Sequence, residues 1–331
     1  MTLSSRRSTP RPAARSRRAL ASLSVAAAVV AGAAACGSDA PGSGSGGSAE
    51  GAVVTSFYPV EFATQQIAGG TVPVTVLTKP GAEPHDLELA PQDVGSMTQA
   101  RLVIYSDGFQ PAVDDAIGQV DPSRVLDVAD AAQLTLTAAE EEGHDHADES
   151  HGDHAAHSGD DPHFWLDPKR YAAVAQAIAA RLGADDPTHA ATYTASAKAF
   201  VAKLDALDAE FAKGLASCDS KVVVTSHAAF GYLSQRYGLE QHGISGLSPE
   251  AEPSAAGLQE ISNLVRSEKV STIFQETLVE PKFAQTVATS TGATLATLDP
   301  VEGITTESAG TDYFEVMRSN LAALQKGLGC K

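Results

Sequence analysis

The sequence predicts an α/β protein of two lobes, each a four-stranded parallel sheet flanked by helices, with a metal site in the crevice between them. Three observations carry this reading. Short β-branched runs alternate with helix-period runs from Val53 onward and again after residue 217, an alanine-rich charged stretch separates the two halves, and histidines recur just after strand-like runs. Strand, helix, strand in repetition requires crossovers and therefore a parallel sheet. The 331 residues, 43% of them apolar, are enough for two cores. Only 23 basic residues stand against 41 acidic ones, and a formal charge of -18 excludes a partner gripped by its phosphates, so no nucleic acid is expected.

Residues 1–35 read as an export signal. A basic segment ends at Arg18, an apolar stretch begins at Ala19, and small residues lead to Cys36. The apolar stretch is too short for a membrane span. Ala33-Ala34-Ala35-Cys36 resembles a bacterial lipobox, which would make Cys36 the lipid-bearing first residue of a chain anchored outside the cytoplasmic membrane. Residues 36–52 form a Gly/Ser-rich tether of roughly 20 Å reach. Ser16-Arg17-Arg18 matches a twin-arginine signal in part, and the export route stays open. With Cys36 assigned, Cys218 and Cys330 remain, and in an exported chain such a pair forms a disulfide, the alternative being two inert thiols.

The first lobe, 53–167, has strands expected at Val53–Phe57, Val72–Leu77, Leu102–Ser106 and Val125–Val128. Helices are expected near Val60–Ala68, Pro91–Gln99 and Pro111–Gly118. A helical linker, 168–216, breaks once at Gly183 to Pro187. Pro168 and Pro187 each suit a first helical turn, and the second helix, Thr188–Leu215, is roughly 40 Å long, enough to brace both lobes. The second lobe, 217–331, has strands expected at Val222–Ser226, Glu240–Ile244, Ser271–Gln275 and Thr294–Leu298. Its helices are expected near Ala229–Tyr237, Ser254–Ser267, Pro281–Ser290 and Tyr313–Gly327.

Residues 138–161 fit neither lobe. They hold nine acids, no base and five histidines, His144, His146, His151, His154 and His157. Such a segment cannot bury a core, and histidines mixed with carboxylates have the composition of a weak, multi-site metal collector. The plainer reading is a solvated acidic loop.

Elsewhere, His85 follows the second strand, His227 follows Val222–Ser226, Asp299 ends the last strand, and His163 sits in Asp161-Pro162-His163-Phe164-Trp165-Leu166-Asp167-Pro168. Ligands of open parallel sheets bind beyond the carboxyl ends of strands, so these four residues can face one crevice. Three imidazoles and a carboxylate form a nitrogen/oxygen set suited to zinc. A histidine must be neutral to bind, so affinity is expected to fall below about pH 6. His189 is read as a helix-surface residue and His242 as a strand residue.

From Val53 to Lys331 the chain resembles the ZnuA/TroA-like family of metal-binding lipoproteins of bacterial ABC importers. The resemblance rests on Ser56-Phe57-Tyr58-Pro59, Gly81-Ala82-Glu83-Pro84-His85-Asp86 and the Asp161 to Pro168 stretch. It extends to Ser226-His227-Ala228-Ala229-Phe230-Gly231-Tyr232, Phe274-Gln275-Glu276 and Leu298-Asp299-Pro300. It implies two βα lobes joined by a long rigid helix, one metal between them, and His85, His163, His227 and Asp299 as its ligands. Manganese members carry a glutamate where this chain has His227, which favours zinc. Glu276 is read as a residue behind the ligands or at the lobe interface, and as a competitor to Asp299.

The expected function is an extracytoplasmic receptor, a monomer and not an enzyme, that captures Zn2+ and delivers it to an ABC transporter permease. The alternatives are a manganese receptor of the same family, a surface adhesin or pure metal buffer and, from another class, a membrane-anchored zinc hydrolase. The hydrolase needs an open fourth coordination position, and no Ser/His/Asp or Cys/His nucleophile pattern accompanies it.

Overall fold

The computed structural model describes residues 51–137 and 159–331. The segment read as an export signal, Cys36, nearly all of the expected tether and the histidines His144, His146, His151, His154 and His157 lie outside the described residues. Within Gly47–Lys331, which clusters as one compact unit, the chain builds two four-stranded parallel sheets. Among the described residues no helix is long and apolar enough to cross a membrane.

The first sheet has the order β2-β1-β3-β4, with β1 Val53–Thr55, β2 Val74–Val76, β3 Leu102–Tyr105 and β4 Val125–Asp127. The second repeats that order as β6-β5-β7-β8, from β5 Val222–Thr225, β6 Glu240–Gly243, β7 Thr272–Gln275 and β8 Thr294–Thr297. In each, the central strands β1, β3 and β5 are wholly buried, as continuous apolar runs such as VVVT require when helices cover both faces. In each sheet the strand order reverses between the first and third strands, which opens a crevice at their carboxyl ends.

Most strands are shorter than the apolar runs suggest, because the residues that leave the ladder serve loops instead. Val72 is buried yet unpaired in the ladder, since Pro73 has no N–H to give and pairing starts at Val74. Ser106, Ser226 and Leu298 similarly begin the loops beyond β3, β5 and β8.

The helices are α1 Tyr58–Ala68, α2 Pro91–Gln99, α3 Pro111–Ile117, α4 Ala129–Ala132, α5 Pro168–Asp185 and α6 Ala190–Gly214. They continue as α7 Gly231–Tyr237, α8 Ala255–Ser267, α9 Lys282–Thr291 and α10 Tyr313–Leu328. The linker is a packed pair, α5 against α6, that also covers α1. Pro168 occupies the first turn of α5, where the Asp167 carboxylate accepts from Lys169 N. Pro187 does not start α6. Instead Asp186 to His189 form a turn in which the Asp186 carboxylate lies 2.7 Å from His189 Nδ1 and accepts from Tyr193 Oη at 3.1 Å. The 25 residues of α6 span about 37 Å.

The largest buried cluster draws on both halves and on the linker. Phe57, Trp165, Tyr171, Phe200, Phe230, Leu298, Tyr313 and Phe314 all belong to it. Smaller clusters lie on the other face of each sheet. Edge-to-face and tilted ring pairs run from Phe62 through Phe200 and Tyr171 to Tyr313, so the linker is continuous with the cores.

Cys218 and Cys330 form the expected disulfide, which spans 112 residues. Gly329, left-handed at φ 68°, ends α10 and lets Cys330 turn back to an antiparallel bridge with Cys218. The bond ties the last residues of the chain to the approach to β5. The double variant Cys218→Ser/Cys330→Ser is expected to fold but to lose about 2–4 kcal/mol in denaturant unfolding, the effect of releasing a long closed loop. An unchanged midpoint would contradict this.

Candidate metal centre

His85 lies in the loop that follows β2. Gln110, buried just before α3, donates from Nε2 to both Thr78 Oγ1 and Pro84 O at 3.0 Å, and Thr78 Oγ1 donates to Ser56 O at 2.8 Å. These bonds pin the loop to the ends of β1 and β2, and the Phe109 ring stands edge-on to His85 at 4.7 Å. His163 precedes a short 3-10 turn, Phe164–Leu166. Asp161 Oδ1 accepts from His163 N at 2.9 Å and lies 2.7 Å from its Nδ1, so one carboxylate sets both backbone and ring. His227 leaves β5, with Thr225 Oγ1 donating to its carbonyl, and its Nδ1 lies 2.7 Å from Oε1 of Glu276, the first residue beyond β7. β5 and β7 flank the reversal of the second sheet, which is why two distant segments meet there.

With both Nδ1 atoms engaged by carboxylates, the Nε2 atoms of His163 and His227 point at each other across 3.4 Å. Glu302 Oε1 completes the group, 3.2 Å from His85 Nε2, 3.2 Å from His163 Nε2 and 3.4 Å from His227 Nε2. Zinc bonds of about 2.0–2.1 Å at tetrahedral angles set ligand atoms about 3.3 Å apart. The three distances from Glu302 Oε1 and the His163–His227 separation match that spacing, and all four ligand atoms lie within 4.8 Å of one another. Glu302 Oε2 is buried without a hydrogen-bond partner, as a carboxylate awaiting a cation would be. Among the described residues this is the one such cluster of histidine and acidic side chains.

The fourth position expected of Asp299 is thus taken by Glu302. Asp299 instead closes its own turn. Its Oδ1 accepts from Val301 N at 2.8 Å, its Oδ2 accepts from Thr277 Oγ1 at 3.2 Å, and Asn320 pairs with its backbone in both directions. With its carboxylate so occupied, it does not join the histidines. Nothing in the local sequence separates the two acids, three residues apart in Asp299-Pro300-Val301-Glu302-Gly303, and only the course of the turn decides which one is buried at 1% exposure among the imidazoles. Val301 holds φ 59°, a left-handed conformation that a β-branched residue adopts at a cost of about 1–3 kcal/mol. His189 and His242 are remote from the cluster, in the Asp186 turn and in β6 beside Glu240.

The cluster is electrically self-balancing. Burial alone would raise the Glu302 pKa, but His85, His163 and His227 hold it well below the ordinary carboxylate range. Burial opposes charge on His163, yet Asp161 and Glu302 push its pKa up to about 9. His227 is likewise raised well above the imidazole range, against burial, by Glu276 and Glu302. His85 goes the other way because burial outweighs the pull of Glu302. Metal-free, the site holds protons on imidazoles where a cation would sit, and a metal must displace them.

The pH at which binding weakens therefore lies above the value expected from an unperturbed imidazole. His163 binds its proton more tightly folded than unfolded, so its contribution to the stability of metal-free protein is full below about pH 6.5 and is lost as pH rises toward 9. Glu83, raised to about 7 by burial and by Glu302, acts in the same direction at lower pH. Metal-free protein should lose thermal stability between pH 6.5 and 9, and titration with zinc at pH 7.5 should release protons. A melting temperature that rises over that interval would refute this. The carboxylates behind the rings should matter independently, with Asp161→Asn and Glu276→Gln each weakening zinc about 10- to 100-fold in competition titrations.

A family model described as "ZnuA: Zinc-uptake complex component A periplasmic" matches residues 53–327. The zinc-binding lipoprotein AdcA of Streptococcus pneumoniae serotype 4 is 38% identical over 278 residues, 83% of this chain and 55% of that protein. This chain thus spans about half the length of the first curated relatives it matches. The high-affinity zinc uptake system protein ZnuA of Bacillus subtilis is 33% identical over 287 residues, 83% of this chain and 87% of that protein. The crystal structure of the Zn(II)-bound ZnuA-like domain of Streptococcus pneumoniae AdcA superposes with a TM-score of 0.68 at 34% identity, covering 84% of this chain and 99% of that one.

Proposed function

Because this chain belongs to the ZnuA family of zinc-uptake components, we propose that it is an extracytoplasmic receptor that captures Zn2+ through His85, His163, His227 and Glu302 and passes it to an ABC permease. The observation that carries the reading is the convergence of three Nε2 atoms on one carboxylate oxygen at 3.2 to 3.4 Å, the edge length of a tetrahedral zinc site. On binding, the ion exchanges its water for these four atoms as the imidazole protons leave, and one buried cation replaces those protons opposite Glu302. The ligands come from both halves of the chain, His85 beyond β2, His163 before the linker, His227 and Glu302 beyond β5 and β8. Docking on a permease that draws the halves apart would break the set and release the ion. Three nitrogen ligands and one oxygen suit zinc over manganese, which prefers oxygen. With Glu302 facing all three rings, a hydrolase reading lacks the open position that a zinc-bound water needs.

The same reading makes Cys36 the lipid anchor and the mature chain a monomer tethered outside the cytoplasmic membrane, its lobes at 53–167 and 217–331 joined by the helices of 168–216. The histidines of residues 138–161 are weak collectors that add to the principal site. The described residues on either side of that segment meet, since Thr137 bridges Asp160 and Asp161 N donates to Leu136 O.

Metal analysis and competition titration of the protein from Ala52 onward test the proposal. One tightly held zinc per chain, not displaced by excess manganese, is expected, with His85→Ala, His163→Ala, His227→Ala and Glu302→Gln each binding severely more weakly. Tight zinc retained in His85→Ala/His227→Ala would sink the site.

A further inference from the structure

Among the described residues, Gln133, Lys269 and Val301 are the non-glycine positions with positive φ. Gln133 and Lys269 follow the ends of α4 and α8, where left-handed residues are ordinary. Val301 terminates no helix, is β-branched and is fully buried, so something else must hold it.

The geometry points to Asp299 as a positioning residue for zinc capture, acting through the left-handed turn at Val301 to aim Glu302 at the three imidazoles. This inference rests on the proposed zinc site and adds to it what sets the carboxylate in place. Asp299 Oδ1 receives the Val301 N–H, the bond that closes the turn. Pro300 has its carbonyl fixed by Trp165 Nε1 at 2.7 Å, and Trp165 O in turn accepts from Tyr313 Oη at 2.6 Å. Asn320, on α10, clamps the Asp299 backbone on both sides, Oδ1 accepting from its N at 2.9 Å and Nδ2 donating to its O at 2.6 Å. Without the Asp299 acceptor, Val301 is free to return to negative φ, and a change of that size at the preceding residue swings the Glu302 side chain out of the cluster. The turn needs only an acceptor at Oδ1, whereas a metal ligand needs the carboxylate charge. The two roles therefore separate under a single substitution.

Zinc affinity by competition titration should be compared for the unaltered protein, Glu302→Gln, Asp299→Asn, Asp299→Ala and the double variant Asp299→Ala/Glu302→Gln, with melting of each metal-free form. In Asp299→Asn the side-chain oxygen can still accept from Val301 N and the amide can donate to Thr277 Oγ1, so most of the affinity lost in Asp299→Ala should be restored. Asp299→Ala is expected to weaken zinc about 10- to 100-fold. Its effect should vanish in the Glu302→Gln background, because a carboxylate already removed cannot be mis-aimed. Affinity lost equally in Asp299→Asn and Asp299→Ala, or effects of Asp299→Ala and Glu302→Gln that simply multiply, would overturn the inference. If Asp299→Ala does not fold, Asp299→Asn alone decides, and a loss as large as that of Glu302→Gln overturns it. Unaltered protein that holds no zinc, or Glu302→Gln that binds as tightly as the unaltered protein, would instead overturn the proposed site.

Discussion

A buried carboxylate among three imidazoles, two of them fully buried, is the constraint on which the rest of the structure depends. Neither Glu302 nor His163 nor His227 could carry charge alone at their depth; the imidazoles sustain it on Glu302, and Asp161, Glu276 and Glu302 sustain it on the rings. Such a group has two satisfactory states. Protons on the rings balance the acids, or one cation replaces them, and an empty, deprotonated cluster would leave negative charge without compensation. The site is thus built to be occupied, and what occupies it is set by competition between protons and metal.

Holding three imidazole nitrogens at 3.2 to 3.4 Å from one carboxylate oxygen requires a frame that does not yield. The frame is assembled from both halves. Asp161 and Glu276 fix the far nitrogens of two rings, Gln110 fixes the loop of the third, and the Asp299 turn delivers the glutamate. Trp165 connects them, its indole bonded to Pro300 O while its ring packs 5.3 Å from His163 and 5.0 Å from Phe57. The linker pair then joins the frame to both sheets, and Tyr171 and Tyr313 each spend a hydroxyl on a backbone carbonyl near the site. A cavity lined this way selects by size and donor type, since relaxing to suit a larger or oxygen-seeking ion would break several buried hydrogen bonds at once.

Much of this is legible in the amino-acid sequence. Alternation of β-branched and helix-period runs is a direct record of burial on two periods, so the two parallel sheets and their helices could be read, with strand ends displaced where Pro73 or a loop residue interrupts the ladder. His85, His163 and His227 stand out because each follows a strand or precedes a Pro-initiated helix in a chain otherwise poor in histidine outside residues 138–161. The pairing of Cys218 with Cys330 followed from an even remainder of cysteines in a chain whose first residues read as an export signal.

Sequence by itself determined the fold class, the disulfide and the kind of site, because these depend on hydrophobic period, on residue count and on donor chemistry, all of which are local or additive. Tertiary structure alone decided which acid stands among the histidines. Asp299 and Glu302 offer the same carboxylate from the same loop, and the choice between them is made by Asn320 on α10, by the Trp165 indole, both distant in sequence, and by a left-handed conformation at the intervening Val301 that its residue type does not signal. The same holds for the charge state of the cluster. An imidazole's affinity for its proton is set by what lies within a few ångströms of it, and for His163 and His227 that is Asp161, Glu276 and a glutamate that reaches them only once the chain has folded.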